Sequence, residues 1–146
     1  MSIQRIGVIG AGQMGTGIAH VLALAGYDVV LDDLNKDALG KALERIEKNM
    51  QRQAAKGVIA ESTIKPALAR IRTTQSMDDL KDREMVMEAA TEDEATKKKL
   101  FQDLCPRLSP TAMIATNTSS ISVTRLAATT DEINHDVLRD GDHLGQ

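Results

Sequence analysis

The hydrophobic pattern of the first 33 residues predicts a strand, a tight turn, a helix and a second strand. An apolar run at residues 6–9 precedes a glycine-rich turn, and an amphipathic segment at about 13–25 predicts a helix. A second apolar run at 27–31 predicts a buried parallel strand, which ends in the acids Asp32 and Asp33. The residues that share one face of the predicted helix are Met14, Ile18, Val21, Leu22 and Ala25.

A helical hairpin is predicted at about residues 35–72. A long helical pattern at 35–56 is followed by Gly57, and a second pattern at 62–71 carries Pro66 near its first turn. A nucleotide-binding sheet needs only one helix here, so the hairpin is extra, and it either packs against a neighbour or contacts a ligand. Because its apolar stripe has two faces to cover, we expect exposed apolar surface and self-association. The stripe consists of Leu39, Leu43, Ile46, Met50, Ile64 and Leu68.

The second half of the chain continues the alternation of strands and helices. Strands are predicted at 71–74, 85–89 and 112–116. Thr91 and Glu94 form a capping-box pattern before a helix that ends near Pro106. A turn at Asn117 to Ser120 and a short helix at 122–128 follow. The alternation predicts an α/β fold with a doubly wound, mostly parallel sheet, whose ligands bind at the carboxyl ends of the strands.

The glycine turn has the spacing of a dinucleotide-binding turn. Gly10 allows the tight bend, Gly12 lets the backbone approach a pyrophosphate, and Gly15 lets the helix pack close to the strand. The first N–H groups of the helix and its dipole then favour the negative phosphates. Gln13 and Met14 lie in the same turn and belong to the predicted cofactor site.

The acid that ends the second strand indicates which dinucleotide binds. Asp33 lies about 20 residues after the turn, where a carboxylate can accept hydrogen bonds from the adenosine ribose. An acid there repels a 2′-phosphate and no Arg follows it directly, so NAD is favoured over NADP. Asp32 could carry the role instead, or both acids could cap the next helix.

Composition excludes several other classes of function. The 146 residues carry a net charge of −3 with both signs interspersed, so a nucleic-acid partner is not expected. The single Cys105 excludes an internal disulfide and fits a reducing cytoplasm. No Cys/His cluster has metal-ligand spacing, and no apolar run reaches the ~18 residues of a membrane span.

Three segments together resemble the bacterial 3-hydroxybutyryl-CoA and 3-hydroxyacyl-CoA dehydrogenases. They are the run at 6–33, EAATED at 88–93 and ATNTSSISVTRLAA at 115–128. The hairpin is also similar to a helical tail that these enzymes carry. The resemblance covers residues 1 to about 130, and NTSS makes it more specific than the glycine turn alone. It implies a Rossmann-like NAD-binding domain.

The resemblance also implies a reaction and its residues. In this family, hydride passes between the carbinol carbon of a 3-hydroxyacyl-CoA and NAD, in fatty acid and butanoate metabolism. By resemblance, Ser119 hydrogen-bonds the substrate oxygen and Asn117 lies beside the nicotinamide. Glu92 and Lys97 match positions that line the cofactor site, and Lys56 matches a lysine that contacts the CoA phosphates. Each residue also has a purely structural explanation, since Ser119 could cap a helix, Glu92 could stabilise a first turn and Lys56 could be a solvated helix end.

After the NTSS segment the chain departs from the family pattern. The family has a stretch of the type GMHFMNP, whose His is the general base, followed by a helical domain with the dimer interface. This chain instead reads DEINHDVLRDGDHLGQ over residues 131–146, where His143 has no expected partner. We therefore expect residues 1–130 to form the NAD-binding domain, 131–146 a divergent disordered tail, and the family's helical domain to be absent.

These expectations define a function and its alternative. The first is the NAD-binding domain of a cytoplasmic 3-hydroxyacyl-CoA dehydrogenase, inactive as this chain alone, whose parent enzyme is a homodimer acting on acyl-CoA. The alternative is a non-catalytic module that binds NAD or CoA. An assay with acetoacetyl-CoA and NADH separates the two.

Overall fold

A computed structural model of the 146-residue chain describes residues 3–91, 93–116 and 120–122. The strands are β1 (Arg5–Ile9), β2 (Asp28–Asp32), β3 (Ile71–Thr74), β4 (Met85–Glu88), β5 (Met113–Ala115) and β6 (Ser120–Ser122). The helices are α1 (Gln13–Leu24), α2 (Lys36–Ala55), α3 (Ile64–Ala69) and α4 (Glu94–Leu104). Short 3-10 turns lie at Glu61–Thr63, Met77–Leu80 and Cys105–Arg107.

The six strands form one sheet in the order β3-β2-β1-β4-β5-β6. The pairs among β1 to β5 are all parallel, and β6 alone runs antiparallel, beside β5. The chain moves outward from β1 first to one side and then to the other, so the strand order reverses between β1 and β4. That crevice is where doubly wound sheets bind nucleotides. The predicted fold class is confirmed.

One prediction at the edge of the sheet is wrong. Ser122 was predicted to begin a helix, but it pairs with Met113 as the last residue of β6. The alternation Ser-Ile-Ser suits a strand of period two, and Ile121 pairs with Ile114 across the ladder. The remainder of the predicted helix, at 123–128, lies outside the described residues.

Helices cover both faces of the sheet, and successive residues of its central strands point to opposite faces. Val8 packs with α1 and α2 on one face, whereas Ile9 packs with α4 on the other. On β2, Val29 and Leu31 join the first cluster and Val30 joins the second. This burial on two sides explains why the strands are continuous apolar runs rather than alternating ones.

The buried face of α1 differs from the predicted one. Met14 and Val21, which were assigned to the apolar stripe, are 47% and 65% exposed. The face toward the sheet is built from smaller or polar side chains, because α1 approaches β1 too closely for a large side chain at Gly15. The buried residues of α1 are Gly15, Thr16, Ala19, His20 and Ala23.

The helical hairpin is confirmed, but its apolar stripe packs into the core of the domain. The Asn35 side chain caps α2 by accepting from the N–H groups of Asp37 and Ala38, at 2.9 and 3.2 Å. Gly57 follows the helix with φ +76°, a conformation that favours glycine. The expected exposed stripe is wrong, because α2 lies against α1 and the sheet in one core cluster. The fully buried residues of α2 are Leu39, Ala42, Ile46 and Met50.

Two further boundaries differ from the prediction. The second hairpin helix ends at Ala69, because Ile71 already pairs with Val29 as the first residue of β3. The cap of α4 is Asp93 rather than Thr91, and its Oδ2 accepts from the Thr96 N–H at 2.9 Å. Hydrogen bonds from the Thr96 hydroxyl and N–H lower the pKa of Asp93. Thr91 accepts from the Asp93 N–H at 3.0 Å and so shapes the turn before the helix.

Candidate functional site

The glycine turn lies under the carboxyl end of β4. Gly10 has φ +105°, and a Cβ on it would lie 2.8 Å from backbone atoms of Ala89 and Ala90. The Gly10 N–H donates to the Asp32 carbonyl at 2.8 Å, which ties the turn to β2. At Gly15, an added Cβ would lie 1.6 Å from the Gly10 carbonyl oxygen. Only glycine therefore fits at either position, as the sequence analysis predicts.

Gly12 provides open space at the amino end of α1. It is the N-cap residue, with no side chain to cap the helix, and an added Cβ would meet no atom within 4 Å. The first turn of the helix contains no acidic residue. The N–H groups at a helix start, together with the dipole, favour an anion at this position. The geometry therefore fits a dinucleotide pyrophosphate placed against Gly12.

The Asp33 carboxylate is held at the edge of the same space. Its Oδ2 accepts from the Ala11 N–H and its Oδ1 from the Asn35 N–H, both at 2.8 Å. Each oxygen of an ionised carboxylate can accept a second hydrogen bond, so both remain competent to bind a ribose hydroxyl. The two N–H donors fix the carboxylate beside the glycine turn before any ligand arrives.

Asp32 occupies a different environment from its neighbour. It is only 3% exposed, and its Oδ1 is buried without a hydrogen-bond partner among the described residues. Burial, and secondarily the charges of Asp33 and Asp79, raise the pKa of Asp32 to about 6. A buried carboxyl cannot reach a ribose at the surface, so the geometry favours Asp33 for this role.

A buried ion pair lies at the carboxyl end of β4. The Glu88 side chain is 1% exposed, and the Lys97 ammonium on α4 lies 3.3 Å from its Oε1. The other oxygen, Oε2, accepts from the N–H groups of Ala90 and Thr91, at 2.7 and 3.1 Å. Lys97 was predicted as a site residue from the sequence, whereas Glu88 was not. An acid at the end of an otherwise apolar strand was the available signal.

A basic groove separates α1 from the outer face of α2. Two adjoining cavities of about 500 and 530 Å³ form this groove, and none of the residues that line them is acidic. Lys56, the C-cap residue of α2, lies at one end, and Gln13 of the glycine turn lies at the other. Arg45, Arg52 and Lys56 fall on one side of α2 at spacings of seven and four residues, so one helix face supplies all three cations.

His20 and Gln53 form the floor of this groove. The His20 ring is 8% exposed, and its Nε2 lies 2.8 Å from the Gln53 Oε1. Asn49 accepts from the Arg52 guanidinium at 2.6 Å, which orders that cation on the helix. The groove is thus a preformed surface of cations, neutral polar groups and the apolar side chains of Val21 and Leu24, and it adjoins the glycine turn.

The predicted site residues that the structure describes lie in two connected regions. The glycine turn, Asp33 and Lys97 lie at the carboxyl edge of the sheet, and Lys56 lies in the groove. Glu92, Asn117 and Ser119 lie outside the described residues. Within residues 3–91, 93–116 and 120–122, no group of acidic, His or Cys side chains could hold a metal ion. No helix in these ranges is long and apolar enough to cross a membrane.

Comparison with known proteins identifies relatives of this chain. The 3-hydroxybutyryl-CoA dehydrogenase of Bradyrhizobium diazoefficiens is 52% identical over 129 residues, which are 88% of this chain and 44% of the relative. The crystal structure of the (S)-3-hydroxybutyryl-CoA dehydrogenase of Ralstonia eutropha is 40% identical, with a TM-score of 0.78, over 89% of this chain and 46% of that one. The Escherichia coli K12 3-hydroxybutyryl-CoA dehydrogenase structure is 36% identical, with a TM-score of 0.79, over 88% of this chain and 27% of that one.

The chain spans about half the length of the curated relatives it matches, or less. A family profile described as "3-hydroxyacyl-CoA dehydrogenase, NAD binding domain" matches residues 5–138. The predicted cofactor, NAD, agrees with that description. The chain therefore belongs to the family of 3-hydroxyacyl-CoA dehydrogenase NAD-binding domains.

Proposed function

We propose that this chain supplies the NAD-binding half of a dehydrogenase that interconverts 3-hydroxyacyl-CoA and 3-ketoacyl-CoA. The open Gly12 position at the start of α1, flanked by the fixed Asp33 carboxylate, carries this proposal. Gly10, Gly12, Gln13, Met14 and Gly15 would surround the pyrophosphate. NAD would accept the hydride from the hydroxyl-bearing carbon.

Asp33 would select the unphosphorylated cofactor. Its oxygens would accept from the ribose hydroxyls, while the Ala11 and Asn35 N–H groups hold the carboxylate in place. A 2′-phosphate would bring a second anion into contact with this fixed carboxylate, and no cation is held against it by the described contacts. NADH is therefore expected to bind more tightly than NADPH.

The basic groove would hold the nucleotide end of the acyl-CoA. CoA carries a pyrophosphate and a 3′-phosphate, and the groove presents Arg45, Arg52 and Lys56 with no acidic side chain in its lining. Guanidinium groups bind phosphate oxygens in a bidentate manner, and lysine does so as a point charge. The relatives' names and the charge of this groove together support this substrate class.

The remaining roles rest on the resemblance. Ser119 would hydrogen-bond the substrate oxygen, Asn117 would lie beside the nicotinamide, and Glu92 and Lys97 would line the cofactor site. We also propose a cytoplasmic location, a homodimeric whole enzyme, no nucleic-acid partner, and a domain boundary near residue 130.

Calorimetric titration of CoA and of CoA lacking its 3′-phosphate tests the groove. We expect Lys56→Met to weaken CoA binding about threefold to tenfold, since one charge-assisted contact contributes roughly 1 kcal/mol at an exposed position. Lys65→Met, which removes an exposed charge from α3 outside the groove, is the matched control. Equal effects of the two substitutions would contradict the assignment of CoA to the groove, while leaving the NAD site untouched.

A further inference from the structure

Glu88 is a buried carboxylate with three partners and no part in the roles assigned so far. Its side chain is 1% exposed, and Lys97 supplies the facing charge at 3.3 Å. Two backbone N–H groups of the following loop, at Ala90 and Thr91, donate to its second oxygen. The Lys97 side chain keeps 14% of its surface exposed, so the pair lies just beneath the surface rather than in the deep core.

The position of this pair in the sheet relates it to one half of a dinucleotide. β4 lies beside β1 on the side opposite to β2, and β2 is followed directly by the Asp33 that faces the adenosine ribose in the proposed function. Ala89 and Ala90 cross directly over Gly10. A dinucleotide laid across the glycine turn from Asp33 must therefore place its nicotinamide half toward β4 and the start of α4.

We propose that Glu88 is a positioning residue that neutralises and orients Lys97 at the nicotinamide end, and thereby allows the site to bind the oxidised cofactor. This inference rests on the proposed NAD site. The ring of NAD⁺ carries a positive charge that NADH lacks. A lone ammonium beside the ring would favour NADH, whereas a Glu88–Lys97 pair has no net charge.

The same pair leaves donors for the cofactor. An ammonium has three N–H donors, and Lys97 makes an ion pair but no hydrogen bond with Glu88 Oε1 among the described residues. Its N–H donors therefore remain able to donate to a hydroxyl oxygen of the ligand. Glu88 thus serves two needs at once, since it fixes the ammonium in one place and cancels its charge.

Glu88→Gln in the full chain tests the proposal. The Gln carbonyl oxygen can still accept from Ala90 and Thr91, but it cannot cancel the charge of Lys97. We expect the ratio of the NAD⁺ dissociation constant to the NADH dissociation constant to rise about fivefold, as for one uncompensated charge acting over several ångströms in a partly solvated site. ADP-ribose, which lacks the nicotinamide ring, should bind within about twofold of its original affinity.

Two further variants complete the test. Lys99→Met, which removes an exposed cation from the same helix, should leave the ratio unchanged. If Glu88→Gln fails to fold, Lys97→Met at pH 8.5 tests the same idea, because the remaining carboxylate should move the preference toward NAD⁺.

The outcomes separate this inference from the proposed function. An unchanged ratio in the Glu88→Gln chain overturns the inference, and so does an equal loss of ADP-ribose and NAD⁺ affinity, which would mean that Glu88 only supports the turn. In the Lys97→Met chain, a ratio of dissociation constants that is unchanged, or that shifts in favour of NADH binding, overturns it as well. Failure of the unaltered chain to bind ADP-ribose would instead contradict the NAD site itself.

Discussion

Replacing Gly12 by alanine should weaken cofactor binding strongly without harming the fold. The added Cβ meets no atom within 4 Å, and Gly12 has φ −75°, which any residue adopts. The free energy of unfolding should therefore change by no more than about 0.5 kcal/mol. The methyl group would, however, occupy the space against which the pyrophosphate packs. Losing one hydrogen bond to a charged group costs about 1.5–3 kcal/mol, or roughly a 10- to 150-fold loss of NADH affinity.

Two companion variants separate binding from folding. Gly15→Ala should destabilise the chain itself by about 3 kcal/mol or more, because its Cβ would lie 1.6 Å from the Gly10 oxygen. Gly40→Ala on the exposed side of α2, also with an open Cβ position, should leave NADH affinity unchanged and raise stability by about 0.5–1 kcal/mol. Calorimetric titration and urea unfolding measure both quantities. A Gly12→Ala chain that binds NADH as tightly as the original would refute the placement of the pyrophosphate.

Three other substitutions test separate parts of the account. Asp33→Ala should weaken the binding of NADH and reduce the preference of the chain for NADH over NADPH, as measured by titration with both cofactors. Because the pKa of Asp32 is raised to about 6, its ionisation destabilises the folded chain as pH rises from about 4 to 6. Asp32→Asn should remove this pH-dependent loss of stability and raise the free energy of unfolding by about 2 kcal/mol at pH 7.5. Urea unfolding at several pH values measures this, and a difference in stability between the two chains that is the same at every pH would contradict it. Arg83→Met should cost about 2–4 kcal/mol in urea unfolding, because the buried guanidinium bonds Asp28 and Asp82 at the amino ends of β2 and β4. If the Arg83→Met chain were as stable as the original chain, the two ion pairs would make no net contribution to stability.

The sequence predicted those parts of the fold in which local pattern and tertiary packing agree. The first two strands, α1 and α2 all follow from apolar periodicity. The Asn35 cap was not predicted, because the helical pattern was started at Asn35 itself. The predicted face of α1 was wrong at Met14 and Val21, which are exposed, whereas Ile18 and Leu22 pack partly against the core. Close approach at Gly15, not hydrophobicity, determines which side of that helix is buried.

Other features could not be predicted from the sequence pattern, because they depend on contacts between different elements of the fold. The Glu88–Lys97 pair joins a strand to a helix. The contact of Arg83, just before β4, with Asp28 of β2 joins residues that are 55 positions apart. The preference for Asp33 over Asp32 follows from burial, since Asp32 is the buried last residue of β2, whereas Asp33 follows the strand and is only partly buried. The expectations for Glu92, Asn117, Ser119 and the segment 131–146 remain predictions, because they lie outside the described residues.

The central claim is that the turn at Gly10 to Gly15, together with Asp33, binds NAD in preference to its phosphorylated form. Titration of the full chain with NADH and NADPH under identical conditions tests it most directly. The account predicts saturable binding of NADH, with one site per chain and at least about tenfold weaker binding of NADPH, the effect of roughly 1.4 kcal/mol of repulsion at a fixed carboxylate. Equal or tighter binding of NADPH would contradict the role of Asp33, and no binding of either cofactor would contradict the account as a whole.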